Sequence, residues 1–324
     1  MDPELHAIAT RQSGVFTTAQ ALDVGIAHDQ IRTLASSGTW VQLRRGIYVE
    51  ASVLDATAPK GRHALSLAAI QLSHSHPIAA SHFSAAWLHN LPLIQSEPQL
   101  PHVTAHREHF RALPDARLFN GALKDDHVTR VDGLLVTSIA RTISDIGRTR
   151  ALDDAVVMLE HALRTGLITR DDYTNVLLHC PTWKGIATSK RALQLAEPLN
   201  ETPGESLSYL RMQQNGLPLP RCQVELQIGR RRVRLDYLWP WAATAGEFDG
   251  RGKYATREDL YAEKQREDDL RSIGLGFARW GWHHLFPDGA AMAAMAAIIR
   301  RALGLAQARP QVAAGDDWRQ YLVA

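Results

Sequence analysis

The fold of this chain turns on Arg230-Arg231-Arg232-Val233-Arg234-Leu235-Asp236-Tyr237-Leu238-Trp239-Pro240, followed closely by Ala245-Gly246-Glu247-Phe248-Asp249-Gly250. Alternation of apolar and polar side chains predicts two short strands joined by a turn around Trp241 to Thr244. Successive side chains point to opposite faces of a strand. Asp236 therefore shares a face with Arg234 and Leu238, Glu247 and Asp249 point together, and Phe248 enters the core. If the strands are neighbours in register, the three carboxylates converge at one sheet edge. Unpaired carboxylates so close repel and titrate upward, so the cluster calls for a cation. An all-oxygen ligand set suits Mg2+ or Mn2+ better than zinc. The arginines of the same run offer the other reading: exposed strands whose solvated acids answer nearby guanidinium groups.

The flanks extend the pattern. Pro203-Gly204-Glu205-Ser206 opens an amphipathic helix that stops near Asn215-Gly216. Arg257 to Ile273 reads as a charged helix closed by Gly274, and Leu275-Gly276-Phe277-Ala278-Arg279-Trp280-Gly281-Trp282 follows as a strand. The order is helix, three strands, helix, strand. With Gly204-Glu205-Ser206, Arg234-Leu235-Asp236-Tyr237, Glu247-Phe248-Asp249-Gly250 and Glu263-Lys264-Gln265-Arg266-Glu267-Asp268, residues 201–285 resemble the PD-(D/E)XK nuclease superfamily. Within it they are similar to the branch of the very-short-patch mismatch endonucleases.

The resemblance implies a restriction-endonuclease-like αβββαβ domain that hydrolyses phosphodiesters with Mg2+ or Mn2+. It implies a metal held by Asp236 and Glu247, with Glu205 contributing directly or through water and the backbone carbonyl of Phe248 as a further ligand. Such an ion polarises the scissile phosphate and acidifies a bound water. The superfamily lysine position is occupied here by Asp249, which could bind a second metal or hold that water. A catalytic lysine would then come from Lys253 or Lys264. Lys264 is equally placed to pair with Glu267 and Asp268 along its own helix.

Composition sets the outer bounds. A chain of 324 residues has room for two or three domains with ample core. A net charge of +2 is too small to argue nucleic-acid binding by itself. Cys180 and Cys222 have no CxxC or metal-ligand spacing, which fits a reducing cytosol. No secretory signal opens the sequence, and no apolar run is long enough for a membrane span, so the expected location is cytoplasmic.

From the N-terminus, Glu4 to Gln12 reads as a helix closed by Gly14. Thr17 and Gln20 then form a capping box for a second helix, which ends at Val24-Gly25. A third helix runs from His28 to Gly38 with Ile31, Leu34 and Ala35 inward, and Trp40–Leu43 with Gly46–Val49 alternate as a hairpin around Arg44-Arg45. Three helices and a hairpin make a winged helix-turn-helix. Its third helix would present His28, Gln30, Arg32 and Thr33 to the major groove, with Arg44 and Arg45 on phosphate or minor groove. Winged helices also serve as protein-docking modules. Through Gly14-Val15-Phe16-Thr17, Ile31-Arg32, Gly38-Thr39-Trp40 and Arg45-Gly46-Ile47-Tyr48 the segment resembles the N-terminal domain of AbiEi-family antitoxins. That resemblance implies promoter DNA as a partner.

In the middle, strands are expected at His102 to Ala105, Arg117 to Leu123 and Leu134 to Thr137, with helices over Ser81 to His89 and through most of 138–199. Ser81-His82-Phe83-Ser84-Ala85-Ala86 and Thr137-Ser138-Ile139-Ala140-Arg141-Thr142 resemble the actinobacterial type of AbiEi-like protein. His63, His74, His76, His82, His89, His102, His106 and His109 crowd this region. A zinc site needs its ligands on one rigid face with a second shell, and no cysteine or HExxH accompanies His82 and His89, so capping and core roles are the better reading. No Gly-rich phosphate loop or Gly-x-Ser-x-Gly elbow appears.

The chain thus reads as α/β in its C-terminal part and α+β overall. The domains expected are a winged helix over 1–50, an AbiEi-like middle over 51–200, a nuclease-like domain over 201–288 and a terminal helix and tail over 289–324. Two functions follow. One is a DNA-binding endonuclease, as in phage defence or a toxin-antitoxin setting. The other is an antitoxin-like repressor with a catalytically silent nuclease fold. A cognate toxin is the protein partner that the antitoxin resemblance adds.

Overall fold

Asp2 starts the first helix: its carboxylate accepts the N–H groups of Glu4 (2.8 Å) and Leu5 (3.2 Å) ahead of α1 (Pro3–Arg11). The computed structural model describes residues 2–94, 97–106, 108, 112–149, 152–250, 257–286, 289–307 and 322. They fall into two compact units, residues 1–158 with 165–191, and residues 159–164 with 192–324.

In the first unit, α1 leads through β1 (Val15–Thr17) to α2 (Thr18–Asp23), α3 (His28–Ser36), β2 (Trp40–Arg44) and β3 (Ile47–Glu50). The capping box of α2 is present: Gln20 N–H donates to Thr17 Oγ1 (3.2 Å), and Thr17 N–H donates to Gln20 Oε1 (2.9 Å). The strands form an antiparallel sheet in the order β1-β3-β2. Leu5, Ala9, Phe16, Ala21, Ile31 and Trp40 close the core beneath it. This is the winged helix-turn-helix expected over 1–50.

The unit continues with α4 (Ala51–Ala56), α5 (Pro59–Leu72), β4 (Ala79–Ala80), α6 (His82–Leu88), β5 (His102–Ala105), β6 (Arg117–Asn120), β7 (Val128–Val131) and β8 (Leu134–Thr137). Five strands make a mixed sheet ordered β6-β5-β4-β8-β7. The strand expected over 117–123 stops at Asn120, and β4 and β7 are additions to the sequence reading. Val15, Ile47 and Val49 of the winged helix share one buried cluster with Leu65, Ile70, Val103 and Val136 of the middle. Among the described residues, part of the apolar core thus runs on past residue 50. Helices α7 (Ile139–Thr149), α8 (Leu152–Arg164), α9 (Arg170–His179) and α10 (Ile186–Leu195) follow. Arg141 is buried in α7, bonded to Asp145 at 2.8 Å and stacked on Trp183.

The second unit has α11 (Pro203–Gln214), β9 (Arg221–Ile228), β10 (Arg231–Trp239), β11 (Thr244–Asp249), α12 (Arg257–Ser272), β12 (Gly276–Gly281) and α13 (Gly289–Gln307). This is the expected αβββαβ order. The sheet runs β12-β11-β10-β9, antiparallel from β9 to β11 and parallel between β11 and β12, with α12 in the crossover. Leu270 of α12 and Ile273 just after it pack with Val233, Leu235, Leu238 and Ala245. On the α11 side, Trp280 stacks on Tyr237 and donates its indole N–H to Ser208 Oγ (2.7 Å), and the Tyr237 hydroxyl donates to the Glu205 carbonyl (2.7 Å). Trp282, expected on the last strand, lies in a 3-10 turn after it, edge-on to Phe248. Among the described residues no helix is long and apolar enough to cross a membrane.

Candidate nucleic-acid interface and carboxylate site

Helix α3 buries Ile31 and leaves His28, Gln30, Arg32 and Thr33 exposed on its outer face. Two of these have local work. Gln30 Oε1 accepts the Ala27 N–H (2.9 Å) at the helix start, and the Thr33 hydroxyl donates to the Asp29 carbonyl (2.9 Å). Arg32, which has the side chain best suited to reading a guanine edge, stands exposed.

The two wing arginines part company. Arg45 is exposed at the tip. Arg44 is turned back on its own unit, 3.2 Å from Asp115 and 2.9 Å from Ser73 Oγ, with its side chain only 17% exposed. It ties the wing to the end of α5 and to the loop before β6 rather than reaching outward for phosphate. Alternation in the hairpin separates the two side chains, but only the tertiary fold brings Asp115 to one of them.

The strand register brings part of the carboxylate set together. Tyr237 pairs with Gly246 and Leu238 with Ala245, so one further step sets Asp236 opposite Glu247. Asp236 Oδ2 accepts the Phe248 N–H at 3.0 Å. Glu247 is buried, with Arg266 2.7 Å from one oxygen and Arg279 3.1 Å from the other. Arg279 is its register partner on β12, and Arg266 reaches down from α12. These two arginines are the functional neighbours the sequence reading missed. Both stood in the quoted stretches, and the parallel pairing of β11 with β12 was the signal that could have found Arg279.

Glu205 is placed elsewhere in the work of the fold. At the third position of α11 it takes the Thr202 hydroxyl (2.8 Å), the Glu201 N–H (2.9 Å) and the Gln223 side-chain amide (2.7 Å). Thr202 in turn caps α11, its Oγ1 accepting the Glu205 N–H. Asp249 ends β11 half-buried, lining a groove of about 390 Å3 with Arg279, Gly281, His283 and His284. Lys264 is exposed on α12, and Lys253 lies outside the described residues. Among the described residues, Glu205, Asp236, Glu247 and Asp249 supply no three oxygens mutually within 4.8 Å; Asp126, His127 and His179 do supply such a set of ligand atoms. The basic run is likewise answered, Arg231 by Asp269 (2.8 Å), Arg232 by Glu225 (3.8 Å) and Arg234 by Glu201 (2.6 Å).

Beside this sheet, burial pushes the Glu160 carboxyl up to about 7 although it accepts the Glu197 N–H and the Asn200 amide. Burial, with the carboxylates of Glu197, Glu160, Glu205 and Asp236 nearby, holds the Cys222 thiol far above its usual range. Three of the middle histidines have packed positions: His63 against Ser84 Oγ (2.7 Å), His89 on the Thr137 carbonyl (2.8 Å), His82 stacked on Phe119, while His76 and His106 are exposed. His109 lies outside the described residues.

With this geometry in hand, residues 4–51 match the family described as transcriptional regulator, AbiEi antitoxin. The winged helix is a domain of that kind. Two uncharacterized proteins of Mycobacterium tuberculosis, MT2308 of strain CDC 1551 / Oshkosh and Rv2248 of strain ATCC 25618 / H37Rv, are each 29% identical to this chain over 146 residues. The match covers 45% of this chain and 54% of theirs, so the chain spans about half the length of the curated relatives it matches. The crystal structure of the RV2827C protein from Mycobacterium tuberculosis is similar with a TM-score of 0.41 and 15% identity, over 68% of this chain and 83% of that one. That likeness is too distant to bear on the site.

Proposed function

We propose that this protein is a DNA-binding transcriptional regulator that reads the major groove with α3, and that its C-terminal αβββαβ domain works without cleaving DNA. The observation that carries the first half is the exposed outer face of α3, with Arg32 at its centre, in a domain matched to AbiEi antitoxin regulators. The second half rests on Glu247. Its two oxygens face Arg266 and Arg279, so the charge that an Mg2+ ion would neutralise is already neutralised. Asp236 serves the Phe248 N–H and Glu205 serves the helix start. As placed, these residues do not fit a divalent ion.

The second reading, a Mg2+- or Mn2+-dependent endonuclease, draws on the αβββαβ order and on Asp236 standing opposite Glu247. It requires both arginines to leave Glu247. The antitoxin likeness of residues 4–51 adds a cognate toxin as a protein partner to seek by pull-down.

The deciding experiment selects bound sequences from a random duplex pool with the full chain, then repeats binding with Arg32→Ala. Plasmid nicking with Mn2+ runs alongside on wild type and Glu247→Ala. Selective binding lost in Arg32→Ala, with no nicking, is the expected result. Nicking by wild type that Glu247→Ala abolishes would establish the nuclease instead.

A further inference from the structure

The first unit holds a cluster that the sequence reading passed over. Asp126 and His127 sit in the 3-10 turn Asp125–His127, and His179 ends α9. His127 Nε2 lies 3.9 Å from one Asp126 oxygen, His179 Nδ1 lies 3.8 Å from the other, and the two imidazole rings are 5.8 Å apart. One ligand-capable atom from each residue falls within 4.8 Å of the other two. Asp126 and His179 are exposed, whereas His127 is buried and its Nε2 has no hydrogen-bond partner among the described residues. A buried ring nitrogen without a partner bears its desolvation cost with no return. All three residues line one open groove of about 770 Å3, which gives a ligand access to that nitrogen.

We propose that Asp126, His127 and His179 bind a divalent first-row transition ion of the Zn2+ or Co2+ class. The ligands are His127 Nε2, His179 Nδ1 and one Asp126 oxygen. Two imidazoles and one carboxylate favour such an ion over Mg2+ or Ca2+, which take oxygen. Three protein ligands leave a coordination position open to the groove. Bonds of about 2.1 Å to a tetrahedral ion set ligand atoms about 3.4 Å apart, so the ligand atoms, which lie within 4.8 Å of one another, have to close in by up to about 1.4 Å. The exposed side chains of Asp126 and His179 can supply that movement, because only His127 is fixed by packing.

The charges around His127 shape the site. Burial first, then Arg141, holds its pKa below the usual imidazole range, against the opposing pull of Asp126, with His179 and Lys124 also nearby. Arg141 Nη1 stands 3.0 Å from His127 Nδ1 and 3.1 Å from the Ala122 carbonyl. Without an ion, Nδ1 accepts from Arg141 and the ring proton rests on Nε2. Ion binding moves that proton to Nδ1, and Arg141 falls back on the Ala122 carbonyl. Metal-bound histidines ordinarily donate to a carboxylate or carbonyl. A guanidinium in that place makes this a weaker, exchangeable site rather than a structural one.

The test uses the untagged full chain. Co2+ titration should give visible d–d absorption, and Zn2+ should raise the melting temperature. His179→Ala and Asp126→Asn change exposed side chains and should melt like wild type without metal, yet lose both responses. His283→Ala controls for the adjacent His283-His284 pair in the second unit and should keep both. Absence of Co2+ absorption in wild type would overturn the proposal, as would responses that survive His179→Ala or vanish in His283→Ala.

Discussion

Removing Arg279 should cost the second unit more than removing the glutamate it pairs with. The Glu247 side chain is 3% exposed, whereas Arg266 and Arg279 each keep 26%. Arg279→Met leaves a buried carboxylate that keeps its contact with Arg266. Breaking a buried pair costs about 3–5 kcal/mol, and the surviving Arg266 contact sets the expected loss at the lower end, about 3 kcal/mol. Glu247→Gln leaves two partly solvated arginines with other acceptors, the Arg234 carbonyl for Arg266 (2.7 Å) and Glu267 for Arg279 (3.3 Å). Its expected cost is about 1–2 kcal/mol, the loss of charge-assisted bonds without a stranded charge. The double variant should then lose less than the sum of the singles. Urea unfolding followed by tryptophan emission, with separate transitions for the two units, measures all three. Equal losses in the two single variants, or strict additivity in the double, would refute the reasoning and reopen Glu247 as a metal ligand.

Arg32→Ala should weaken DNA binding by ~1–3 kcal/mol and relax sequence preference, read by fluorescence anisotropy across variant sites. Arg45→Ala should weaken all sequences alike and flatten the salt dependence, whereas Arg44→Ala, already tied to Asp115 and Ser73, should leave that slope unchanged. Gly204→Ala should unsettle the second unit by roughly 1–3 kcal/mol in thermal melts, because a Cβ there would stand 2.0 Å from the Phe248 ring. Glu160 is raised from 4.5 to about 7 by burial, so the folded state holds its proton more tightly than the unfolded chain. Its contribution is full below about 4.5 and is lost as pH rises through about 7, in all ~3 kcal/mol. Glu160→Gln should therefore flatten the fall in melting temperature between pH of about 5 and 8, and an unchanged pH profile would count against the burial.

Much of the fold was legible because its signals are local. Thr17 and Gln20 announce α2 with a capping box, and alternation marks β10 and β11. The two-residue β4 had no period to read, and β6 ends sooner than its apolar run because pairing with β5 stops at Asn120. Burial of Val15, Ile47 and Val49 with the middle core needed contacts between segments dozens of residues apart. The site shows the same divide. That Asp236 would lie near Glu247 followed from strand period and a short turn. That Arg266 and Arg279 would reach Glu247 depended on a parallel crossover, and that Asp115 would hold Arg44 depended on a loop folding back. His127 and His179 are brought together by α9 returning to the turn before β7, which no spacing along the chain encodes.

The parallel pairing of β11 with β12 also orders events during synthesis. Strand β11 follows β10 directly, but its other edge waits until the chain has passed through α12 to residues 276–281. Until then β11 offers a row of unpaired backbone groups, and Glu247 lacks the arginine that arrives with β12. Such an edge is a template for pairing with another chain. A premature stop between residues 250 and 275 would thus do more than delete one strand. It would release a product with an open edge, prone to aggregate or to be degraded.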